Sequence, residues 1–500
     1  MKKILGDLYR RMKLNRNRLS DPIYQSEKLF DQGGSWPGDF QGRDILALTS
    51  LYHAFDGYKQ MQDDILMQLK NIFDHIEDNL NEFGYFGEPF NDLFVDEQQV
   101  SGNSWFLRGL IEYYKISKEE KYLKQVKSIV ENYLLQIAPY YLRYPDNNRR
   151  FGGVGGSLDG NVFNGWKVST DVGCAFIMLD GITAAYELLK DQRLKELIIA
   201  IIEEFLKIDY VNLECQTHAT LSCARAILNF YKIVKEKKYL EYAKNIFKEY
   251  IVRGMTYDYS NINWFKRSNT WTEPCCIVDS LILSKELFLI TKEETYVDLF
   301  NRIYTNSIRT FQRDNGGAGC STCAIDDKYE LQSYLYEAYF CCTMRLGDGF
   351  KYISDFCCFK EDDCYVVPFS LKQEYEDEDI HFILDNEFYL NNNIINLKVI
   401  KPCSPKKIKI KLPLNFYARD YVAENGWIYL PLDKEGEITI KLNSKINREK
   451  NMLFFGDMML TLKKQKMDNE IIIDAKPYSF IYDNSQFSEN ELQFKVQYVK

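Results

Sequence analysis

From about residue 40 to residue 355, apolar positions recur at i, i+3, i+4 and i+7, the spacing of a helix with one buried face. One phrase repeats within this stretch: an apolar helix end, a Lys-acid turn, then a second amphipathic arm. It reads IEYYKISKEEKYLKQVKSIV from Ile111, AAYELLKDQRLKELIIAII from Ala184, LNFYKIVKEKKYLEYAKNIF from Leu228 and SKELFLITKEETYVDLFNRIY from Ser284. The copies lie about 45–70 residues apart, so the stretch is a repeat of helical hairpins. Two hairpins with weaker turns complete the set: LALTSLYHAFDGYKQMQDDILMQLKNIF, and the segment from Tyr334 to Ser354. Six hairpins closing on themselves make an (α/α)6 barrel. An open solenoid is the alternative, because periodicity does not encode closure.

Near Cys364 the period changes to two. CYVVPFSL, IHFILD, IINLKVI, KIKIKL, WIYLPL, EITIKL, MLFF, MMLTL, EIIIDA and YSFIY are short β runs separated by turn residues such as Asn425-Gly426 and Glu435-Gly436. Many short strands without helices predict an antiparallel β-sandwich of about 130 residues. The expected domains are 1–358, the barrel, and 359–500, the sandwich, and the length of 500 residues suits two domains with real cores.

The long inserts between hairpins are rich in Gly, Trp, Tyr, Asp and Asn: FDQGGSWPGDFQGRD, NEFGYFGEPFNDLFVDEQQVSGNSW, FGGVGGSLDGNVFNGWKVSTDVG and RGMTYDYSNINWFKRSNTWTEPC. Such loops at one end of a rigid helical ring are a natural place for a cleft. The 36 Tyr and 32 Phe supply faces for sugar rings, although a general compositional bias explains them equally. The net charge of −9 without a basic block argues against nucleic acid and anionic membrane surfaces as partners. No apolar run nears the ~20 residues that span a bilayer. In the opening MKKILGDLYRRMKLN, Asp7 and Arg10 interrupt any signal-peptide core, so the expected location is cytoplasmic.

The 13 cysteines are scattered, and without a secretion signal they point to metal or thiol chemistry rather than disulfides. Trp271-Thr-Glu-Pro-Cys275-Cys276 opens one helix. Cys320-Ser-Thr-Cys323 lies in a Gly-rich loop, Phe340-Cys341-Cys342 enters another helix, and Cys357-Cys358 follows. Glu273 and Cys275 with Cys341 and Cys342 offer a tetrahedral zinc set of three thiolates and a carboxylate. Cys320 and Cys323 with two more thiolates offer an all-thiolate one. Paired cysteines on apolar helices also serve simply as packing.

The combination of Glu-x-Cys opening one helix with Cys-Cys entering another resembles the β-L-arabinofuranosidase family, glycoside hydrolase family 127. So does a helical barrel followed by a sandwich. The descent CCTMRLGDGFKYISDF…EDDCYVVPFSL, the helix THATLSCARAILNFYKIV and the stretch KIKLPLNF…ENGWIYLPLDKEGEITIKL are also similar to the family's. The resemblance implies a retaining glycosidase that cleaves a terminal sugar, β-L-arabinofuranose in the family, from oligosaccharides. It implies a zinc ion held by Glu273, Cys275, Cys341 and Cys342, with Cys341 as nucleophile and His218 facing the substrate. The family's acid/base glutamate falls on Tyr257, so the neighbouring Asp258 is the expected acid/base. Two further family histidines are replaced by Asn103-Ser104 and Cys174-Ala175, and an arginine by Leu221.

Asp39 and Arg43 in SWPGDFQGRD, with Trp36, and Trp166 and Asp171 in NGWKVSTDVG are further expected sugar contacts. Carboxylate and guanidinium groups bind hydroxyls bidentately, and indoles stack on sugar rings. Two rival functions remain: an (α/α)6 glycosidase using two carboxylates among Asp39, Asp171 and Asp258 with structural cysteines, and a carbohydrate-binding protein on a degenerate scaffold. The expected partner is an oligosaccharide, and a homodimer is compatible with the sequence.

Overall fold

The structure, a computed structural model, describes residues 1–145, 158–323, 334–390, 393–403, 405–449, 452–467, 470–477 and 494–497. The β run YSFIY and the Gly-rich start of the third insert lie outside the described residues.

Helices α1 (Gly6–Arg18), α2 (Asp39–Ala54), α3 (Lys59–His75), α4 (Glu97–Ser117), α5 (Glu120–Ile129), α6 (Met178–Leu189), α7 (Gln192–Phe205), α8 (Thr217–Val234), α9 (Lys237–Arg253), α10 (Pro274–Thr291), α11 (Glu294–Ile303) and α12 (Cys342–Phe356) build the helical region. The even-numbered helices pack in succession, α2 on α4, α4 on α6, and so on to α12, which returns to α2. The ring therefore closes, and the fold is an (α/α)6 barrel rather than a solenoid. The outer layer is odd-numbered. The sixth hairpin expected between Tyr334 and Ser354 is not one. This segment holds a strand and the single helix α12, and the outer partner of α12 is α1, from the other end of the barrel chain.

The repeated Lys-acid turn has a local cause. Lys118, Lys190, Lys235 and Lys292 each cap an inner helix in the left-handed conformation, with φ of 58°, 56°, 61° and 61°. Each donates its backbone N–H to the carbonyl four residues back, at 2.8–2.9 Å. The chain then reverses into an outer helix. Where inner helices meet most closely, only glycine fits: a Cβ on Gly42 would lie 2.1 Å from the Phe106 backbone nitrogen.

The inner faces of the ring are not uniformly apolar. Leu46, Trp105, Cys174, Ile177 and Ala219 form a separate buried cluster under Trp36. Deeper lies a chain of buried ion pairs. Asp180 joins Arg108 and Arg225, Asp279 joins Arg225 and Arg345, and Asp348 joins Arg345.

Strand β1 (Lys2–Leu5) precedes α1. Strands β2 (Val95–Asp96), β3 (Leu158–Phe163) and β4 (Trp166–Ser169) form a small sheet beside the barrel mouth, and β5 (Gly319–Ser321) pairs with β6 (Tyr334–Glu337). After α12 the chain is β: β7 (Phe359–Glu361), β8 (Cys364–Val367), β9 (Lys372–Glu376), β10 (His381–Asp385), β11 (Ile394–Lys401), β12 (Lys407–Lys411), β13 (Phe416–Ala418), β14 (Trp427–Pro431) and β15 (Gly436–Ser444). Two sheets, ordered β1-β9-β10-β11-β15-β13 and β14-β12-β8-β7, face one another, with Tyr365 of β8 against Tyr375 and Phe382. Within these two sheets pairing is antiparallel except for β8 with β12, which run parallel. The first strand of the chain thus belongs to the sandwich, where it pairs with β9.

A third sheet, β16 (Ile446–Glu449), β17 (Met452–Phe455), β18 (Met458–Met467), β19 (Glu470–Pro477) and β20 (Phe494–Gln497), follows the sandwich. It docks on the barrel: Asn306 donates to the Asp457 carbonyl at 2.9 Å and accepts from Met459 N at 2.8 Å. Among the described residues no helix is long and apolar enough to cross a membrane.

Candidate active site

The inner helices all begin at one end of the ring, and their N-termini surround a cavity of about 620 Å³. Asp39 is the first residue of α2, and Arg43 stands one turn further. His218 is the second residue of α8, Glu273 caps α10, Cys275 follows within its first turn, and Cys341 caps α12 ahead of Cys342. Pro274, at the first position of α10, suits the start of a helix because its missing N–H is not needed there. The inserts rich in Gly and Trp form the rim, where Trp36, Trp271, Tyr336, Tyr339 and Phe340 line the cavity.

Three thiols converge. Cys275 Sγ lies 3.3 Å from Cys342 Sγ, and Cys341 Sγ 3.4 Å from Cys342 Sγ, all unbridged. Donor atoms of His218 and Glu273 lie within 4.8 Å of each other and of Cys275. Of the four donors expected from the sequence, Cys275, Cys341 and Cys342 meet at one place although they come from two helices, and Glu273 lies beside Cys275 in the second group. Cys320 lines the same cavity, whereas Cys323 turns toward the Asn261 carbonyl at 3.6 Å. Cys357 and Cys358 are buried away from the cluster, in the core.

The electrostatics distinguish the thiols. Thiol hydrogen bonds from Cys275 and Cys342 lower Cys341 to about 6. They outweigh its burial, and the Arg43 guanidinium assists. Burial pushes Cys275 up to about 12 and raises Cys342 as well. Glu273 is raised well above the carboxylate range, first by burial, then by the charges of Cys275 and Asp171. The Asn263 amide, in the orientation its neighbours dictate, donates to Glu273 Oε2 at 2.6 Å and accepts from Trp271 Nε1 at 3.2 Å. A buried group of acceptors whose ionised forms oppose one another fits a divalent cation, and the soft sulfur donors fit zinc.

Arg43 joins this cluster to the sugar side. Its Nε donates to Asp39 Oδ2 at 2.7 Å, its Nη1 lies 3.7 Å from Cys275 Sγ, and its guanidinium sits 4.1 Å from the Trp105 ring centre. His218 Nδ1 lies 2.9 Å from Asp279 Oδ2, and its ring stacks on Trp105 with centroids 5.8 Å apart. Burial works against the ionised Asp279, but Arg345, Arg225 and His218 outweigh it and hold the carboxyl far below its usual range.

Asp39, Arg43, Asp171 and His218 all line the cavity, as expected from the sequence. Two expected residues do not. Trp166 is buried in β4, where its Nε1 donates to the Tyr140 carbonyl at 2.8 Å and its ring packs on Tyr141 and Tyr144; an indole in that core position cannot stack on a sugar. Asp258 is wholly buried beside the cavity rather than on its wall. The turn at Tyr259, with φ of 64°, folds the Asp258 carboxylate back onto Thr256 Oγ1 at 2.5 Å and Ser260 Oγ at 3.3 Å. Sequence reasoning did not single out Asp279 or Asn263. Asp279 follows Cys275 by four positions on one helix face, a spacing that carries this signal.

An (α/α)6 barrel whose helix N-termini surround a thiol-rich cavity, joined to an antiparallel sandwich, defines the architecture. Neither a family model nor a curated protein matches the sequence. Among solved structures the chain is similar to a glycoside hydrolase, with 9% identity and a TM-score of 0.61 over 95% of this chain and 88% of that one. It is also similar to a GH127 β-arabinofuranosidase, at 10% identity and a TM-score of 0.60 over 94% and 86% of the two chains. A GH127 β-L-arabinofuranosidase from Geobacillus stearothermophilus T6 gives 10% identity and a TM-score of 0.58 over 100% and 96%. At these identities the likeness establishes a shared fold over nearly the whole chain.

Proposed function

We propose that the protein is a retaining glycosidase that removes a terminal sugar from short oligosaccharides through the Cys341 thiolate. The observation that supports this best is the convergence of Cys275, Cys341 and Cys342, with Glu273 beside Cys275, at a cavity lined by Glu273, Cys341 and Cys342 and rimmed by aromatic rings. Zinc bound by these four donors keeps thiols deprotonated at neutral pH. The sugar stacks on the rim, where Trp36 and Trp271 offer indole faces. Asp39 and Arg43, held together as an ion pair, present a paired acceptor and donor to sugar hydroxyls.

Cys341 sulfur attacks the anomeric carbon, and the bond to the leaving oxygen breaks as that oxygen takes a proton. Water then attacks the same carbon, gives up a proton, and releases the sulfur as a thiolate. Two displacements restore the starting configuration. Because the Asp258 carboxylate is turned away, we assign the proton transfers to Asp171. It lines the cavity just before α6, the helix opposite α12 in the ring, so a sugar on Cys341 lies between the two groups. The neighbours named as β-L-arabinofuranosidases make β-L-arabinofuranose the first sugar to try.

The test is a screen of aryl-glycosides with zinc measured on the same sample, followed by NMR of the first-formed product. We expect retention, loss of nearly all turnover in Cys341→Ser, and a thioglycosyl adduct on Cys341. Asp171→Asn is expected to slow substrates with poor leaving groups far more than activated aryl-glycosides, since only the former need protonation. An inverted product, or full activity in Cys341→Ala, overturns the thiolate route.

A further inference from the structure

His218 is buried, and its Nε2 has no hydrogen-bond partner among the described residues. The ring cannot turn to find one. Nδ1 is held by Asp279 at 2.9 Å, Ser222 Oγ donates to the same carboxylate oxygen at 2.9 Å, and Arg225 and Arg345 fix the other oxygen. Trp105 covers a face of the imidazole. With the Nδ1 hydrogen directed at Asp279, Nε2 carries the lone pair, and a nitrogen of this ring lies within 4.8 Å of Glu273 and Cys275 donors. A water placed among these three satisfies them only if Cys275 or Glu273 keeps its proton. A cation satisfies all three at once. A buried carboxylate holding the far nitrogen of an imidazole is also the arrangement that orients histidine ligands to metals.

We infer that His218 is a further ligand of the ion held by Glu273 and Cys275, supplying the donor that completes its coordination when Cys341 is bonded to carbon. This rests on the reading of the cavity as a zinc centre. The two clusters, Cys275–Cys341–Cys342 and His218–Glu273–Cys275, share Cys275, so an ion bound to that sulfur has both sets beside it. A thiol that attacks carbon becomes a neutral, weaker donor. Zinc favours four donors, and among the described residues the imidazole offers a buried, unpartnered nitrogen beside Cys275 and Glu273. Cys342 is almost wholly buried whereas Cys341 is half-buried at the cavity, so Cys341 is the sulfur that can be exchanged.

The experiment uses the full chain, unaltered and as Cys341→Ala, His218→Gln and the double variant, each loaded with zinc. Zinc-edge X-ray absorption reads the donor types, and competition with a chelator reads affinity. In Cys341→Ala we expect bound zinc with imidazole scattering, and in the double variant none. The double substitution should weaken zinc by much more than the product of the two single effects, each of about 10–100-fold. Zinc without imidazole scattering in Cys341→Ala overturns the role of His218 and leaves the zinc centre standing. An unaltered protein that takes up no zinc overturns both. Cys341→Ser, read the same way, replaces Cys341→Ala if the latter does not fold.

Discussion

Cys341 differs from its neighbours through its surroundings alone. It caps α12 at the half-buried edge of the cluster, and two thiol hydrogens and the Arg43 guanidinium favour its ionised form. At Cys275 burial outweighs the Cys342 hydrogen bond and the same guanidinium, and at Cys342 the thiol hydrogen bonds add to the burial. The reactive form of a cysteine is the thiolate. In metal-free protein, iodoacetamide should therefore alkylate Cys341 well before Cys275 and Cys342, with a rate that climbs as pH rises through about 6. Peptide mass mapping after short exposures reads the order. Labelling of Cys275 first would show that the charge distribution is wrong. At this scale the sequence was informative about identity and poor about direction. By type and spacing Glu273, Cys275, Cys341 and Cys342 were one of two ligand sets, and the family resemblance singled them out. Trp166 and Asp258 have suitable side chains, but local turns aim them into the core and back onto Thr256.

The repeating elements store a small strain at each turn. A lysine in the left-handed region costs roughly 1 kcal/mol or more relative to glycine, and each inner helix from α4 to α10 ends on one. At three of these turns the lysine also lies over an aromatic ring four residues back, Lys190 on Tyr186, Lys235 on Tyr231 and Lys292 on Phe288. That exposed contact recovers only part of the strain. Lys235→Gly should raise stability by about 0.5 kcal/mol, net of the extra freedom glycine gives the unfolded chain, and Lys235→Val should lower it by about 1–2 kcal/mol. Urea midpoints compare the three proteins. Equal destabilisation by both substitutions would mean that the ring contact, not the backbone, sets the preference. These turns were legible because the helix stop and the next helix start are encoded within a few residues. The sixth hairpin was misread for the same reason: the partner of α12 is α1, and no local pattern links Cys342–Phe356 to Gly6–Arg18.

For the whole molecule, the third sheet is bound to the barrel by groups that respond to pH. Asp457 is buried at the junction, and burial, opposed by Arg302, pushes it up to about 7. Between about pH 4 and pH 7 the folded chain keeps a proton that the unfolded chain has released. Asp457 thus contributes a loss of stability as pH rises through that window, up to about 4 kcal/mol, and nothing further above it. Asp457→Asn should flatten this fall. Urea midpoints at about pH 5 and about pH 8 measure it, and an unchanged slope would place the titration elsewhere. The docking itself uses Asn306, Tyr389 and the pair Arg302–Glu449, the last joining α11 to β16 at 2.6 Å.

The chain's own pattern determined the class of each element, the change from helix to strand after α12, and the residue types at the site, because each depends on neighbours within about a dozen positions. Ring closure, the entry of β1 into the sandwich, the parallel pairing of β8 with β12, and the meeting of Cys275 with Cys341 and Cys342 were decided only by the tertiary structure. These contacts join segments separated by tens to hundreds of residues. Their geometry follows from how six helix pairs, one of them joined from the two ends of the barrel chain, pack around one axis, which no single stretch of the chain encodes.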